Sequence, residues 1–324
     1  MKTIKKITAL VLVLVLSTLS VFALSSCNKN DGKYTIGICQ LVQHAALDAA
    51  TQGFVDAVKE ALGEENVIFE VKNASGDPTV CTTIANDFVT KNVDLIMANA
   101  TPALQAVAAS TKKIPILGTS VTEYGSALGI ENFNGTVGGN ISGTSDLAPL
   151  DEQAQMILDL FPETQEVGLI YSTSESNSTY QVKKVEEYLQ NKGIVVHRFG
   201  FTDSNDIAAV VEAACAACDV LYIPTDNKAA DSAETIGNIV KQKGKPVIAG
   251  EAGICSACGV ATLSISYYDL GRKTGEMAVQ ILKGEKNISE TAIGYTGATK
   301  QYNPVICDLL GIAAPAGYEA LPMD

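Results

Sequence analysis

The chain has no tryptophan, only two histidines, and aromatic residues at just 6%. So few rings leave a pocket walled by stacked aromatics unassured. A hydrolase could be assembled on paper from the Ser, His and Asp present, but His44 and His197 are the only imidazoles, and His197 falls in the middle of an apolar, strand-like run. There is no G-x-S-x-G elbow, no P-loop and no zincin motif. The chain therefore reads as a protein without catalysis and without a cofactor. Positive charge is scarce too: 23 Lys+Arg stand against 36 Asp+Glu, a formal charge of −13. That balance excludes nucleic acid and anionic lipid as natural partners and describes a solvated acidic surface.

Long apolar runs are lacking everywhere except at the start. Lys2, Lys5 and Lys6 precede an uncharged apolar stretch at 7–23, and "LSSC" follows at 24–27. Small residues leading to a cysteine resemble the lipobox of bacterial lipoproteins. The resemblance implies cleavage before Cys27, a diacylglycerol on its sulfur, and attachment to the outer face of the cell membrane. An uncleaved membrane helix is the alternative, since about 17 apolar residues is near the lower limit for spanning. Both readings place the rest of the chain outside the cytoplasm. Loss of residues 1–26 removes three lysines and no acid, taking the charge to −16. Residues 27–33 form a short polar tether.

About 295 residues then remain, more than one core usually organises. Short apolar runs alternate with longer amphipathic ones. Strands are expected at 34–40, 67–74, 94–100 and 114–120, separated by helices at 45–62, 79–91 and from near Pro102. A second cycle places strands at 167–172, 194–200, 219–226, 245–250 and 261–266, with helices at 151–160, 176–191, 205–217 and 229–243. Such alternation gives βαβ units and parallel sheets. The fold class expected is α/β: two doubly wound parallel-sheet lobes joined by a hinge, with a cleft between them. The segment 141–151 reads as a crossover. A last helix at 267–284 is expected to return to the first lobe, with the tail crossing back to the second. The lobes are then 34–146 plus about 267–292, and 147–266 plus about 293–324. A monomer is expected.

In doubly wound sheets, ligands bind beyond the carboxyl ends of the strands. The residues there are Gln43, His44, Asn99, Thr101, Thr119 and Ser120 in the first lobe, and Ser174, Glu175, Asn177, Thr225, Asp226, Asn227 and Glu251 in the second. Almost all carry hydrogen-bonding groups, as a cleft for a small polar solute requires. Ser, Thr, Asp and Asn at these positions also serve as caps for the helices that follow. Capping alone does not explain why Asp226 and Glu251 lie at neighbouring edges.

Eight cysteines raise a rival reading, because Cys215-x-x-Cys218 and Cys255-x-x-Cys258 look like metal or redox pairs. The first pair closes a helix at the amino end of a strand. The second lies just past a strand, toward the opposite end of the sheet. Bringing four sulfurs to within about 2.3 Å of one zinc would distort the fold that the rest of the chain supports. No metal is expected. Small apolar filler or a local disulfide remain for these pairs.

"GICQLVQHAALDAATQGF" (37–54), "ATPALQA" (100–106), "SGTSDLAP" (142–149), "YSTSESNS" (171–178), "YIPTDN" (222–227) and "YYDLGRKTGEMAVQILKG" (267–284) together resemble one family. It is the ABC-importer substrate-binding family that includes tryptophan- and tyrosine-binding members. The resemblance spans essentially the whole mature chain and implies the two-lobed periplasmic-binding fold, of type I. It implies capture of a small molecule, often an aromatic amino acid, and its delivery to an ABC permease and its ATPase. Another amino acid, a nucleoside or a sugar, or solute sensing without transport, are the alternatives. Two departures stand out: the CxxC pairs replace ordinary small or apolar residues, and Ala46 stands where a proline is common.

A zwitterionic amino acid needs three kinds of contact. Its carboxylate suits hydroxyls and helix amino-terminal amides, with Thr101, Thr119, Ser120, Thr144 and Ser145 as candidates. Its ammonium suits Asp226 or Glu251, with Asp146 and Glu175 behind them. An aromatic side chain suits Tyr171 and His44.

Overall fold

The computed structural model describes residues 32–322. Cys27 and nearly all of the tether lie outside the described residues. The first sheet is built from β1 (Tyr34–Gln40), β2 (Val67–Asn73), β3 (Leu95–Asn99), β4 (Ile116–Val121) and β5 (Ile141–Ser145). The helices between them are α1 (Ala45–Leu62), α2 (Pro78–Lys91), α3 (Thr101–Ser110) and the short α4 (Tyr124–Leu128). The second sheet contains β6 (Glu166–Ser172), β7 (Val195–Phe201), β8 (Val220–Ile223), β9 (Val247–Ala249) and β10 (Ala261–Ile265). Its helices are α5 (Leu150–Leu160), α6 (Ser176–Asn191), α7 (Ile207–Ala217), α8 (Asn227–Asp231), α9 (Ala233–Lys243) and α10 (Ala252–Cys258).

The chain then crosses back. α11 (Tyr267–Leu282) packs along α1, and β11 (Gly294–Tyr295) pairs with β5 in the first sheet. A further crossing leads to β12 (Ala298–Tyr302), α12 (Pro304–Leu310) and β13 (Glu319–Ala320) in the second. The strand orders are β11-β5-β4-β3-β1-β2 and β13-β12-β10-β9-β8-β6-β7. Among the described strands all pairings are parallel except β12 against β10. The architecture is α/β with two lobes, as the alternation of short and long apolar periods requires.

Both central strands of the first lobe, β1 and β3, are almost fully buried, while the edge strand β2 turns exposed side chains to solvent. Each sheet carries apolar clusters on both faces. In the first lobe Phe88, Leu104 and Ile116 belong to one cluster, and Phe54, Leu95 and Met277 to another. In the second they include Val211, Ile236 and Ile254, and on the opposite side Met156, Val185 and Tyr222. Capping follows the local sequence: Asp77 accepts from the Thr79 amide ahead of Pro78, and Asn303 from the Val305 and Ile306 amides ahead of Pro304.

The segment 141–151 differs from its reading as a crossover throughout, because its first five residues form β5, paired with β4. Gly143 makes that pairing possible. Its φ is +145°, and a Cβ there would stand 2.1 Å from the Gly118 carbonyl oxygen. Strand ISGTS has small and hydroxyl side chains, so it lacks the apolar signature of its buried neighbours.

Candidate functional site

Beyond the carboxyl ends of both sheets lies a cavity lined by His44, Leu47, Ser120, Thr122, Asp146, Asn177, Thr225, Asp226, Asn227, Ala230, Glu251 and Tyr267. About 280 Å³ of space lies among these side chains, part of it open to solvent, and the cavity is narrow. The two lobes meet around it. His44 Nε2 lies 3.5 Å from Asn227 Oδ1, Gln105 Nε2 donates to Ser176 Oγ at 3.4 Å, and α4 packs against α6.

Three carboxylates line the cavity and a fourth stands behind it. Asp226, 1% exposed, caps α8 through Oδ1, which accepts from the Ala229 amide at 2.9 Å, while Oδ2 accepts from the Ser172 amide at 2.6 Å. Glu251 caps α10, its two oxygens accepting separately from the Gly253 and Ile254 amides. Glu175 accepts from the Asn227 side-chain amide at 2.6 Å and from the backbone amides of Asn227 and Lys228. It holds the turn after β8 in place from beneath the cavity. Asp146 is different. Its Oδ2 accepts from the Tyr267 hydroxyl at 3.0 Å, but Oδ1, buried with the rest of the residue, has no partner.

Among the described residues no Lys or Arg side chain lines the cavity; the Lys228 ammonium instead bonds Ser174 Oγ and the Thr202 carbonyl. Asp146, Glu175 and Asp226 therefore hold their protons more tightly than exposed acids do. Burial pushes Asp146 up to about 6, against the pull of Thr122 and Tyr267, and the Glu251 charge adds to the rise. Burial also pushes Glu175 up to about 7, assisted by the neighbouring Asp226 charge and opposed by its bonds to Asn227 and Lys228. Asp226 is raised for the same reason, burial.

Two further groups at the cavity lack partners. Ser120 Oγ is buried and unpaired, on a residue whose φ of +53° is left-handed. The irregularity between Gly118 and Val121 in the pairing of β4 with β5 turns Ser120 out of the sheet. Asn177 Oδ1 is the other, its amide nitrogen being committed to the Thr225 carbonyl and Glu175. Thr225 itself is fixed by Gln181, which donates to its carbonyl and accepts from its amide.

Of the residues expected at the ligand edge, the structure brings His44, Ser120, Asp146, Asn177, Thr225, Asp226, Asn227 and Glu251 to the cavity. It places the others elsewhere. Gln43 is exposed on the loop. Thr119 and Thr144 join Thr274 of α11 in a buried hydroxyl cluster that ties β4, β5 and α11 together. Ser145 Oγ donates to the Thr122 carbonyl and receives the Leu147 amide. Thr101 is buried at the start of α3, its hydroxyl unpaired. Tyr171 packs in the second-lobe core, and Glu175 supports the site from behind. Sequence reasoning missed Leu47, Thr122, Ala230 and Tyr267. Tyr267 was open to the same rule as the rest, since it stands just past β10.

All seven cysteines among the described residues are buried free thiols. Cys215 and Cys218 lie at the end of α7, and Cys255 and Cys258 on α10, with α9 packed against both helices. Burial pushes the Cys218 thiol up to about 11 and Cys258 up to about 12. They pack as small apolar groups within one core cluster.

Comparison with known proteins bears on this geometry. The model of the family described as ABC transporter substrate binding protein matches residues 35–311. A tyrosine-binding protein of Clostridioides difficile is 34% identical over 297 residues, covering 87% of this chain and 85% of that protein. A Streptococcus pneumonia structure solved in complex with L-Trp superposes with a TM-score of 0.85 at 29% identity, over 89% of this chain and 100% of that one. A ligand-free, open substrate binding protein with adhesive properties from Clostridium difficile gives 0.69 at 35% identity, over 90% and 100%. The open structure is nearer in sequence but farther in shape, which agrees with the lobe contacts around the narrow cavity: the arrangement here is a closed one.

Proposed function

This chain belongs to the ABC transporter substrate-binding protein family, whose members bind solutes and are not enzymes, and from that premise we propose that it captures an aromatic amino acid between its lobes for an ABC importer. The observation that carries the reading is the closed cavity itself. It is acidic, free of side-chain cations among its lining residues, and furnished with unpaired polar atoms on Ser120, Asp146 and Asn177. An ammonium group meets the acid side, and the ligand's carboxylate meets hydroxyl and backbone donors. Leu47, His44 and Tyr267 supply the apolar and ring surface for the side chain. The tyrosine-binding relative and the tryptophan-bound neighbour support an aromatic ligand.

The protein sits outside the cytoplasm, held by a lipid on Cys27, and hands its ligand to the permease as the lobes open. Among the described residues no helix is long and apolar enough to cross a membrane. Calorimetric titration with the twenty amino acids, a nucleoside and a sugar tests the ligand. Tyrosine, tryptophan or phenylalanine should bind tightest, and a preference for the sugar or nucleoside would refute the assignment. Intact mass of the membrane-extracted protein tests the anchor: the diacylglycerol mass should vanish in Cys27→Ser.

A further inference from the structure

We infer that Oδ1 of Asp146 is the acceptor for the ligand's ammonium group, an assignment that rests on the reading of the cleft as an amino-acid site. Three carboxylates face the cavity, and the ammonium needs one with acceptor capacity aimed inward. Asp226 spends one oxygen on the cap of α8 and the other on the Ser172 amide. Glu251 spends both on the cap of α10. Asp146 alone leaves an oxygen without a partner, on a side chain 4% exposed.

The group is also held in place. The Asp146 amide donates to the Val121 carbonyl, and the Tyr267 hydroxyl fixes Oδ2. Asp146 begins the first passage between the lobes and Tyr267 follows β10 at the second, so the pair joins two of the three connections. A carboxylate oriented there presents the same oxygen whichever way the lobes swing. In a cavity of like charges without a side-chain cation, an ammonium relieves repulsion that a neutral donor leaves in place. The same field disfavours a ligand with a second carboxylate, so acidic amino acids are excluded along with deaminated analogues.

The test compares L-tyrosine, tyramine and 3-(4-hydroxyphenyl)propionate on wild type, Asp146→Asn and Glu251→Gln by calorimetry at pH 7.5. Asp146→Asn should weaken L-tyrosine and tyramine by roughly ten- to a hundredfold and leave the propionate nearly unchanged. Glu251→Gln, which damages a cap, should lower thermal stability and affect the three ligands alike. A second measurement needs no variant: at pH 6, titrations in two buffers of different ionisation enthalpy should show more proton release with L-tyrosine than with the propionate. Equal losses for amine and deaminated ligand in Asp146→Asn, or no loss for either, would overturn the assignment. If wild type binds tyramine in an Asp146-dependent way but no amino acid, the assignment stands and the amino-acid reading falls. If it takes only uncharged solutes, both fall.

Discussion

Ser120 combines two unfavourable features that most residues avoid singly. Its backbone is left-handed at φ +53°, and its buried hydroxyl has no partner. Strain of this kind costs on the order of 1–3 kcal/mol and persists where the surroundings enforce it, commonly at a site. A ligand carboxylate would supply the missing partner. Ser120→Ala should therefore leave the ligand-free melting temperature unchanged or slightly higher, while weakening amino-acid binding roughly three- to tenfold. Thermal unfolding and titration on the same variant read both, and a destabilised variant with unaltered affinity would make the hydroxyl structural. The sequence marked Ser120 by its place after a strand, but the same rule marked Thr119, which bonds Thr144 and Thr274 instead. What separates them is the β4 irregularity, a register feature that periodicity does not carry. Asp226 and Glu251 teach the converse. Their type and position were legible, and so was capping, because the Ala229, Gly253 and Ile254 amides stand two or three residues further on; only the Ser172 amide, which occupies the second oxygen of Asp226, is brought near by the fold.

At the scale of elements, the helix that recrosses to the first lobe decides how the lobe is closed. α11 lies against α1 so tightly that a Cβ on Gly271 would stand 2.0 Å from the Ala50 carbonyl oxygen, and one on Gly53 2.1 Å from the Tyr268 carbonyl oxygen. In an open helix, Gly→Ala gains about 1 kcal/mol of helix propensity. Here the sign should reverse, because the helices must part: Gly271→Ala should destabilise by about 1–3 kcal/mol, read as a lower urea midpoint. An unchanged or raised midpoint would mean that the backbones are not locked together. The helix itself was legible from its pattern, and so were the buried strands β1, β3, β6 and β8, rich in apolar side chains. β5 and β11 were not: one has a single large apolar residue, Ile141, among glycine and hydroxyl residues, and the other has two residues, Gly294 and Tyr295. Their strand character comes from pairing, not from composition.

At the scale of the whole molecule, Asp146 at the passage between the lobes shares one buried cavity with Asp226 and Glu251 of the second lobe, Glu175 standing behind it, with His44 and Tyr267 facing the same space and the Lys228 ammonium turned away. A carboxyl in water titrates in its ordinary range, about 3.9 to 4.3. The closed form holds Asp146 at about 6 and Glu175 at about 7. Raised acids bind protons in the closed state that the open state has released, so closure gains stability as pH falls through the window from about 7 to 4 and loses it as pH rises. A proton and a ligand ammonium thus relieve the same burial of charge and compete for Asp146. Two consequences follow at opposite ends of the window. Without ligand, small-angle scattering should give a smaller radius of gyration at pH 5 than at pH 8, and Asp146→Asn should narrow that difference by closing more readily at pH 8. With ligand, affinity should fall as pH drops below about 6, by up to tenfold per pH unit for each proton displaced. Running both series on His44→Gln as well removes the imidazole as a contributor. A ligand-free radius that does not move between pH 5 and pH 8, in a protein that still contracts on binding at pH 8, would show that buried carboxylate charge does not hold the lobes apart.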